Sequence, residues 1–546
     1  MLTRALPLAV IVIAAVAFAI YEAGAPGREQ RHLLETYAAD WGRGDFHRMY
    51  AMLTPASRSR ISQAEFRSKL ESDADTATAT SLRAGGLISI SDGVARFDFF
   101  VQTRTFGTLH EILQLPLAGS GGDTRIRFAP AILFPGLRSG ERLRRDALLG
   151  PRGTLLAADG TPLAQGPSRT SPISSVASAI VGTLGPIPAD QRAAYAAEGY
   201  PADAQVGQDG LELIFQNRLA GRPGGRLIAG HRVLASAAPT RGHTVRTTIV
   251  PQLEQAAIDA IGTSYAGLTV LSRTGAIEAA AGIAFTDIQP PGSTMKIVTA
   301  TAALQAGLVT LTTQFPYESS ITLNGYKMQN AAGETCGGSL LDAFASSCDT
   351  VFAPVGAEVG AKRLVQMAKR FGFDEPTGIP TAIESTIPSA GTIGDSLAVG
   401  SSAIGQGRVQ ASTLELADIA ATIADGGRRP LPRISATEAP RYVRVTTPKV
   451  AAEVQQMMEA VVSFGTGTTA QIPGVNVAGK TGTAELGNTA NQANNKALTD
   501  SWFVGYAPAG SVKVVAAALF PSSGYGADVA APAVKQVLET ALGVSG

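Results

Sequence analysis

A Pro-Pro-Gly segment at residues 290–292 constrains the fold of this chain most, because it ends any helix or strand that precedes it. An apolar helical pattern begins immediately afterwards and continues to Gly307. Ser293 therefore lies at the start of a predicted helix, and Lys296 follows one turn later on the same face. A serine hydroxyl becomes a strong nucleophile only when a base removes its proton, and a neutral lysine amine within reach is such a base. The segment therefore predicts a serine–lysine pair at a helix N-terminus.

Few other bases are available to this serine. The chain has five histidines, at positions 32, 47, 110, 231 and 243, so no imidazole follows residue 243. A Ser-His-Asp triad contained in the C-terminal half is thereby excluded. Lysine is also scarce, with ten residues against thirty-five arginines, and none lies between Lys69 and Lys296. An S-x-x-K sequence still arises about once by chance in such a chain, so the pair needs further support.

Two later segments supply that support. Ser347-Cys348-Asp349 ends a short helical pattern, and Lys480 and Thr481 follow two alternating valines, as in a strand. Residues 474–481 also match G-x-x-x-x-G-K-[ST], a loop that binds nucleotide phosphates. That loop requires a strand before it and a helix after it, whereas Pro473 interrupts the first and residues 487–495 lack an apolar helical period. We therefore predict a strand that presents Lys480 and Thr481 to a cleft.

An apolar run without a charged side chain occupies residues 5–21, preceded by Arg4. Its seventeen residues are at the short end of a membrane span and also fit a signal peptide. Small residues at 23–25 favour cleavage and Pro26 disfavours it, so residues 1–25 are an anchor or a removed signal, with the anchor favoured. Arg4 predicts a cytoplasmic N-terminus. We therefore predict a single-pass protein of the cell membrane with an extracytoplasmic catalytic domain.

The exported part divides into three predicted domains. Helical spacing followed by strand alternation predicts a small α+β domain at residues 28–138. A Gly/Arg/Pro-rich stretch at residues 135–153 predicts a linker, and Asp159-Gly160 between apolar runs predicts a hairpin. We place an extended domain at residues 139–243, and the domain that carries the motifs at residues 244–546.

Composition excludes several functions. The 45 basic and 44 acidic side chains give a net charge of +1 without a basic, aromatic cluster, so we predict no nucleic-acid partner. The two cysteines, Cys336 and Cys348, exclude a multi-cysteine metal site, and we predict neither a metal nor a cofactor. They could pair in an oxidising compartment, or Cys348 could be a small buried residue.

Taken in order, the three segments resemble the S-x-x-K, S-x-N and K-T-G motifs of the penicillin-binding proteins and serine β-lactamases. Residues 152–164 and 207–212 are similar to the non-catalytic pedestal of class B, monofunctional members, and the N-terminal domain to the nuclear-transport-factor-2-like domain of methicillin-resistance-type members. The resemblance implies a multidomain α+β architecture. A membrane anchor would be followed by a small cone-like domain, an extended pedestal or dimerisation-like domain, and a C-terminal transpeptidase domain with an antiparallel sheet flanked by helices.

The same resemblance implies a peptidoglycan D,D-transpeptidase that β-lactam antibiotics inhibit covalently. Ser293 would attack the D-Ala-D-Ala carbonyl of a stem peptide, Lys296 would accept its proton, and Ser347 would relay a proton to the leaving amine. The backbone N–H groups of Ser293 and Thr483 would form the oxyanion hole, while the Lys480, Thr481 and Thr483 side chains would hold the substrate carboxylate. The implied catalytic residues are Ser293, Lys296, Ser347 and Lys480, and the implied substrate-binding residues are Asp349, Thr481, Gly482 and Thr483.

One position departs from the family pattern, since its second motif usually ends in Asn and this chain has Asp349. An ionised Asp349 paired with a lysine would hold that lysine charged and oppose its role as a base. A β-lactamase, a D,D-carboxypeptidase, a β-lactam sensor and a catalytically silent penicillin-binding scaffold remain alternatives on the same fold. No stretch before residue 240 resembles a glycosyltransferase domain, so glycan polymerisation implies a separate glycosyltransferase partner.

Overall fold

The computed structural model of the chain describes residues 27–485 and 499–544, which form two compact units. The first unit contains the described chain up to Gly153 together with residues 185–206 and 220–243. The second contains residues 154–184, 207–219 and those from Thr244 onward. The predicted membrane-anchoring run lies outside the described residues. No helix within the described ranges combines the length and apolar character that crossing a bilayer requires.

The first unit begins with helices that pack on an antiparallel sheet with the strand order β1-β2-β3-β4. Strand β2 alternates between buried and half-buried positions, and its inward residues Phe97 and Phe99 pack against Leu34 and Trp41 of the first helix. The predicted helices and alternating strands are therefore confirmed. The elements are α1 (27–43), α2 (Phe46–Ala51), α3 (Pro55–Arg58), α4 (Gln63–Thr76), β1 (Ala79–Ser91), β2 (Val94–Thr103), β3 (Gly107–Ala118) and β4 (Arg125–Ile126).

The stretch that was predicted to be a linker contains a strand. This strand, β5 (Leu143–Leu148), pairs antiparallel with residues 224–229, so its partner lies far along the chain and its own composition does not reveal it. The predicted hairpin at Asp159-Gly160 is confirmed, because Leu155 pairs with Ala164. The other elements between residues 154 and 243 are β6 (Leu155–Leu156), β7 (Pro162–Ala164), α5 (Ser174–Ile180), β8 (Leu184–Pro186), α6 (Arg192–Ala197), β9 (Gln205–Gly207), α7 (Gly210–Ile214), α8 (Gln216–Leu219), β10 (Gly224–Ala229) and β11 (Arg232–Ala237).

The second unit continues with β12 (Val245–Arg246), α9 (Pro251–Ile261), β13 (Gly267–Leu271), β14 (Ile277–Gly282), α10 (Lys296–Gln305), β15 (Gln314–Glu318), β16 (Ser320–Leu323), β17 (Tyr326–Gln329), β18 (Cys336–Ser339), α11 (Leu340–Ala345) and α12 (Asp349–Phe371, kinked at Gly360). It ends with α13 (Ser396–Ala403), α14 (Thr413–Ala424), β19 (Arg428–Pro430), β20 (Tyr442–Arg444), α15 (Pro448–Ser463), β21 (Ala478–Glu485), β22 (Thr499–Ala507), β23 (Val514–Phe520) and α16 (Ala530–Leu542). Single turns of 3-10 helix occur at Gly121–Asp123, Pro130–Ile132, Gly292–Met295, Ala331–Gly333 and Thr468–Ala470.

A five-stranded antiparallel sheet, in the order β14-β13-β23-β22-β21, organises this unit. Helices cover both of its faces, so successive residues of a strand face different cores. Phe503 of β22 packs in the core that contains α9 and α16, whereas its neighbours Trp502 and Val504 pack in the core that contains α10 and α14. The expected antiparallel sheet flanked by helices is therefore confirmed, and its edge strand β21 carries the third motif.

Candidate active site

Ser293 lies in the 3-10 turn Gly292–Met295, and α10 begins only at Lys296. The sequence pattern predicted one helix over Ser293 and Lys296, whereas the structure has a tighter 3-10 turn before the α-helix begins. Side chains at positions i and i+3 eclipse in a 3-10 helix, which brings the two groups together. Lys296 Nζ lies 2.9 Å from Ser293 Oγ. Gly292 has φ +53°, and a Cβ added to it would lie 2.7 Å from the Thr483 carbonyl oxygen, so glycine lets β21 approach the predicted nucleophile.

Ser347 is held between α11 and α12 in a left-handed conformation, with φ +58°. Lys296 Nζ lies 2.6 Å from the Ser347 carbonyl oxygen and 3.2 Å from its Oγ. Lys480 Nζ reaches the same Oγ at 2.8 Å. A non-glycine residue adopts this backbone conformation only when its surroundings hold it there, and the two lysines supply such contacts. One serine hydroxyl therefore connects two amines that lie far apart in the sequence.

Both lysines are buried, and burial changes the pKa of each amine. Burial lowers the pKa of the Lys296 amine, and the Asp349 carboxylate, with Oδ1 2.7 Å from Nζ, opposes this change. Burial lowers the pKa of the Lys480 amine well below its ordinary value, the positive charge of Lys296 lowers it further, and Asp349 opposes both effects. The carboxylate of Asp349 therefore opposes the effect of burial on both amines, and its direct contact is with Lys296.

Strand β21 presents the third motif, as predicted. The alternative interpretation of residues 474–481 as a nucleotide-binding loop is excluded, because Lys480 and Thr481 lie inside a strand. The strand pairs with β22, where Gly482 lies opposite Trp502. Lys480 Nζ donates to the Thr481 carbonyl oxygen at 3.0 Å, in addition to its contact with Ser347. The Thr483 hydroxyl accepts a hydrogen bond from the Gly526 N–H at 3.4 Å. The predicted site residues of all three motifs are thus brought to one region.

Two structural features support this region. Cys336 and Cys348 form a disulfide, which attaches β18 to the residue between Ser347 and Asp349. Trp502 of β22 is fully buried, and its Nε1 donates to the Pro290 carbonyl oxygen at 2.9 Å. That bond fixes the segment that leads into the 3-10 turn.

Thr466, which the sequence did not single out, also contacts the site. Its Oγ1 lies 2.6 Å from Thr481 Oγ1, and its backbone N–H donates to the Ala345 carbonyl oxygen at 3.0 Å. The residue follows α15 in a Gly-Thr-Gly segment. Such a segment carries no periodic or motif signal, because both partners of Thr466 belong to other elements.

Comparisons with known proteins agree with this geometry. The family described as penicillin binding protein transpeptidase domain matches residues 267–539, which is half of the chain. The family described as penicillin-binding protein dimerisation domain matches residues 156–246. The NTF2-like N-terminal transpeptidase domain matches residues 30–141.

Among curated proteins, the chain is similar to the peptidoglycan D,D-transpeptidase PbpA of Mycobacterium tuberculosis, with 38% identity over 286 residues. The alignment covers 47% of this chain and 56% of that protein, so it spans little more than half of the relative's length. The crystal structure of PBPA from Mycobacterium tuberculosis has a TM-score of 0.58 and 27% identity, over 72% of this chain and 99% of that one. The penicillin G acyl-enzyme complex of penicillin-binding protein A from M. tuberculosis has a TM-score of 0.57 and 27% identity over the same shares of the two chains.

The three motifs, the sheet that carries the third of them and the matched families lead to one conclusion, and the resemblance read from the sequence is confirmed. The chain belongs to the penicillin-binding protein transpeptidase family, with an NTF2-like N-terminal domain and a dimerisation domain.

Proposed function

We propose that this protein is a peptidoglycan D,D-transpeptidase that works through an acyl-enzyme on Ser293. The observation that carries the proposal is the continuous chain of contacts from Ser293 through Lys296 and Ser347 to Lys480. A serine nucleophile with a buried amine at 2.9 Å has the arrangement that nucleophilic acyl transfer requires. A relative named peptidoglycan D,D-transpeptidase and a similar structure described as a penicillin G acyl-enzyme complex support the same reaction.

In the proposed reaction, the two lysines share the work of moving the proton. The Lys296 ammonium beside Asp349 passes its proton through the Ser347 hydroxyl to neutral Lys480, along contacts of 3.2 and 2.8 Å. The Lys296 amine that remains then takes the proton of Ser293 as Oγ attacks the substrate carbonyl carbon. When the peptide C–N bond breaks, Ser347 donates a proton to the departing D-Ala amine and is reprotonated by Lys480. Protons therefore balance over the acylation half of the reaction.

The substrate itself favours this transfer. Its terminal carboxylate would bind beside Lys480 and the hydroxyls of Thr481 and Thr483 on β21. An added negative charge there raises the affinity of Lys480 for a proton and so draws the proton away from Lys296. Binding of a carboxylate-bearing acyl donor would thus generate the base that activates Ser293. The backbone N–H groups of Ser293 and Thr483 would stabilise the oxyanion. An amine from a neighbouring stem peptide would complete the cross-link by resolving the acyl-enzyme.

From the sequence we also propose where the enzyme is located and which partner it needs. Residues 5–21 would anchor the chain in the cell membrane, with the catalytic domain on the extracytoplasmic side. The Cys336–Cys348 disulfide fits an oxidising compartment of this kind. As in the class B proteins that the chain resembles, a separate glycosyltransferase would supply the glycan strands. The domain limits at residues 28–138, 139–243 and 244–546 stay predictions.

Mass spectrometry after treatment with penicillin G tests the proposal. We expect one covalent adduct per chain, located on the peptide that contains Ser293, and no adduct on a Ser293→Ala variant with unchanged thermal stability. Labelling of that variant at full stoichiometry would refute the assignment of the nucleophile, and a wild-type chain without an adduct would indicate a silent scaffold. Rapid hydrolysis of a chromogenic cephalosporin would instead indicate a β-lactamase. Release of D-Ala without cross-linked product would indicate a D,D-carboxypeptidase.

A further inference from the structure

The segment Gly465-Thr466-Gly467 joins two of the three motifs through Thr466. Its backbone N–H donates to the carbonyl oxygen of Ala345, the last residue of α11, two positions before Ser347. A Cβ added to Gly465 would lie 2.3 Å from the same oxygen, so glycine is required for this approach. The backbone of Thr466 is therefore fixed against the element that carries the second motif.

The side chain of Thr466 points to the third motif, where its Oγ1 lies 2.6 Å from Thr481 Oγ1. Thr481 is buried and Thr466 is half-buried, so this contact is sheltered from solvent. Each hydroxyl has a single proton, and either one can donate across the contact. If Thr481 donates to Thr466, it presents only lone pairs to the cleft and repels an anion. If Thr466 donates, the Thr481 proton is free to point at an anion in the cleft.

The hydroxyl of Thr483, two residues later, also has a hydrogen-bond partner outside β21. Residues i and i+2 of a strand share a face, so the hydroxyls of Thr481 and Thr483 lie side by side on β21. The Thr483 hydroxyl accepts a hydrogen bond from the Gly526 backbone N–H at 3.4 Å. An N–H group can only donate, so the proton of Thr483 remains available to the cleft. A donor on Thr466 would place Thr481 in the same state.

From this geometry, and resting on the proposed function, we propose that Thr466 is a positioning residue for recognition of the acyl donor's carboxylate. Its hydroxyl donates to Thr481 Oγ1 and so directs the Thr481 proton towards the carboxylate. Because its backbone is fixed to the end of α11, Thr466 also sets the spacing between β21 and the segment that carries Ser347. Thr466 acts through Thr481 and does not itself touch the substrate.

Paired acylation measurements on the full-length chain test this role. The probes are penicillin G, which has the carboxylate, and its methyl ester, which lacks the negative charge. Thr466→Val keeps the shape of the side chain and removes the hydroxyl. We expect the second-order acylation rate constant for penicillin G to fall about fivefold, the scale of one net hydrogen bond, while that for the ester is unchanged. The acid-to-ester ratio is the acylation rate constant for penicillin G divided by that for its methyl ester. Thr466→Ser should restore this ratio to that of the wild-type chain.

Ser463→Ala is the matched control, because this exposed hydroxyl at the end of α15 bonds the Glu459 carbonyl oxygen of its own helix instead of the motif strand. It should leave both rate constants unchanged. In a Thr481→Val background, Thr466→Val should not alter the acid-to-ester ratio any further. Thr466→Ala serves the same comparison if Thr466→Val does not give folded protein.

Equal losses for the acid and the ester would overturn the proposal, since they would show a general structural role. An unchanged ratio in a folded variant without the hydroxyl would overturn it as well. These outcomes are distinct from failure of the proposed function, in which the wild-type chain would not react with penicillin G.

Discussion

Lys296 Nζ lies 2.7 Å from Asp349 Oδ1, and the side chain of the lysine is 0% exposed while that of the aspartate is 17% exposed. The same Nζ has three other oxygen neighbours, on Ser293 and Ser347, within 3.2 Å. An ammonium group has three N–H bonds for these four oxygens, whereas a neutral amine has two and a lone pair. The carboxylate of Asp349 therefore favours the protonated form of Lys296, and the charge of the site depends on this aspartate.

Replacing Asp349 should change the pH dependence of acylation. The carboxylate raises the pKa of Lys296 relative to burial alone, and only the neutral amine can take the Ser293 proton. Asp349→Asn removes the charge and keeps the size, so it lowers the pKa of Lys296. We expect the acid limb of the acylation profile with penicillin G to move to lower pH. The acid-side rate should then rise about tenfold for each pH unit of movement.

Asp259→Asn, which changes an exposed carboxylate on α9, is the matched control and should leave the profile in place. If Asp349→Asn reduces the rate by the same factor at every pH without moving the limb, then Asp349 orients the site and does not set its charge.

Removing the hydroxyl that connects the two lysines should slow acylation strongly. Ser347→Ala interrupts the contacts of 3.2 and 2.8 Å to Lys296 and Lys480 and leaves both amines without a path between them. Loss of a positioned proton-transfer group costs about 100-fold or more in rate. We expect a decrease of this size in the rate constant of penicillin G acylation, measured by stopped-flow or quenched mass spectrometry. The exposed neighbour provides the control, since Ser346→Ala should acylate at the wild-type rate. A Ser347→Ala variant as fast as the wild type would eliminate the relay.

A buried acidic pair away from the motifs should make the stability of the protein depend on pH. Burial raises the pKa of Glu415 to about 8, and that of Asp418 to about 7, although Arg429 opposes both changes. The folded state then binds more protons than the unfolded state between the ordinary carboxyl pKa and about 8. The free energy of unfolding therefore falls as the pH rises through this window.

Glu415→Gln removes one of these titrating groups. We compare the melting temperature of the variant with that of the wild type at each pH. This difference should be about 2–6 °C more in favour of the variant at pH 8 than at pH 5, because only the wild type loses stability through Glu415 as the pH rises. Thermal denaturation at the two pH values measures the difference. Glu438→Gln changes an exposed carboxylate and should give the same curve as the wild type. Parallel shifts of Glu415→Gln at both pH values would contradict the assigned titration.

The sequence determined the elements and the chemistry that each motif carries. Pro-Pro-Gly at residues 290–292 ended one element and started another, which placed Ser293 and Lys296 one turn apart, since this spacing depends only on local geometry. Alternating apolar residues likewise predicted the strands of the N-terminal sheet and the strand that carries Lys480. The linker predicted at residues 135–153 was wrong because β5 exists only through pairing with a distant strand.

The tertiary structure alone decided how the motifs meet. Pairing of Cys336 with Cys348, left open by the sequence, depends on Cα atoms coming within 5.8 Å of each other. The same holds for the carboxylate of Asp349, since the sequence raised its pairing with a lysine and only the fold shows that this lysine is Lys296. Thr466 had no local signal, since its partners are brought to it by the packing of α11 and β21. Local patterns are fixed by neighbouring residues, whereas contacts between distant segments and the charges they impose arise only when the chain is packed.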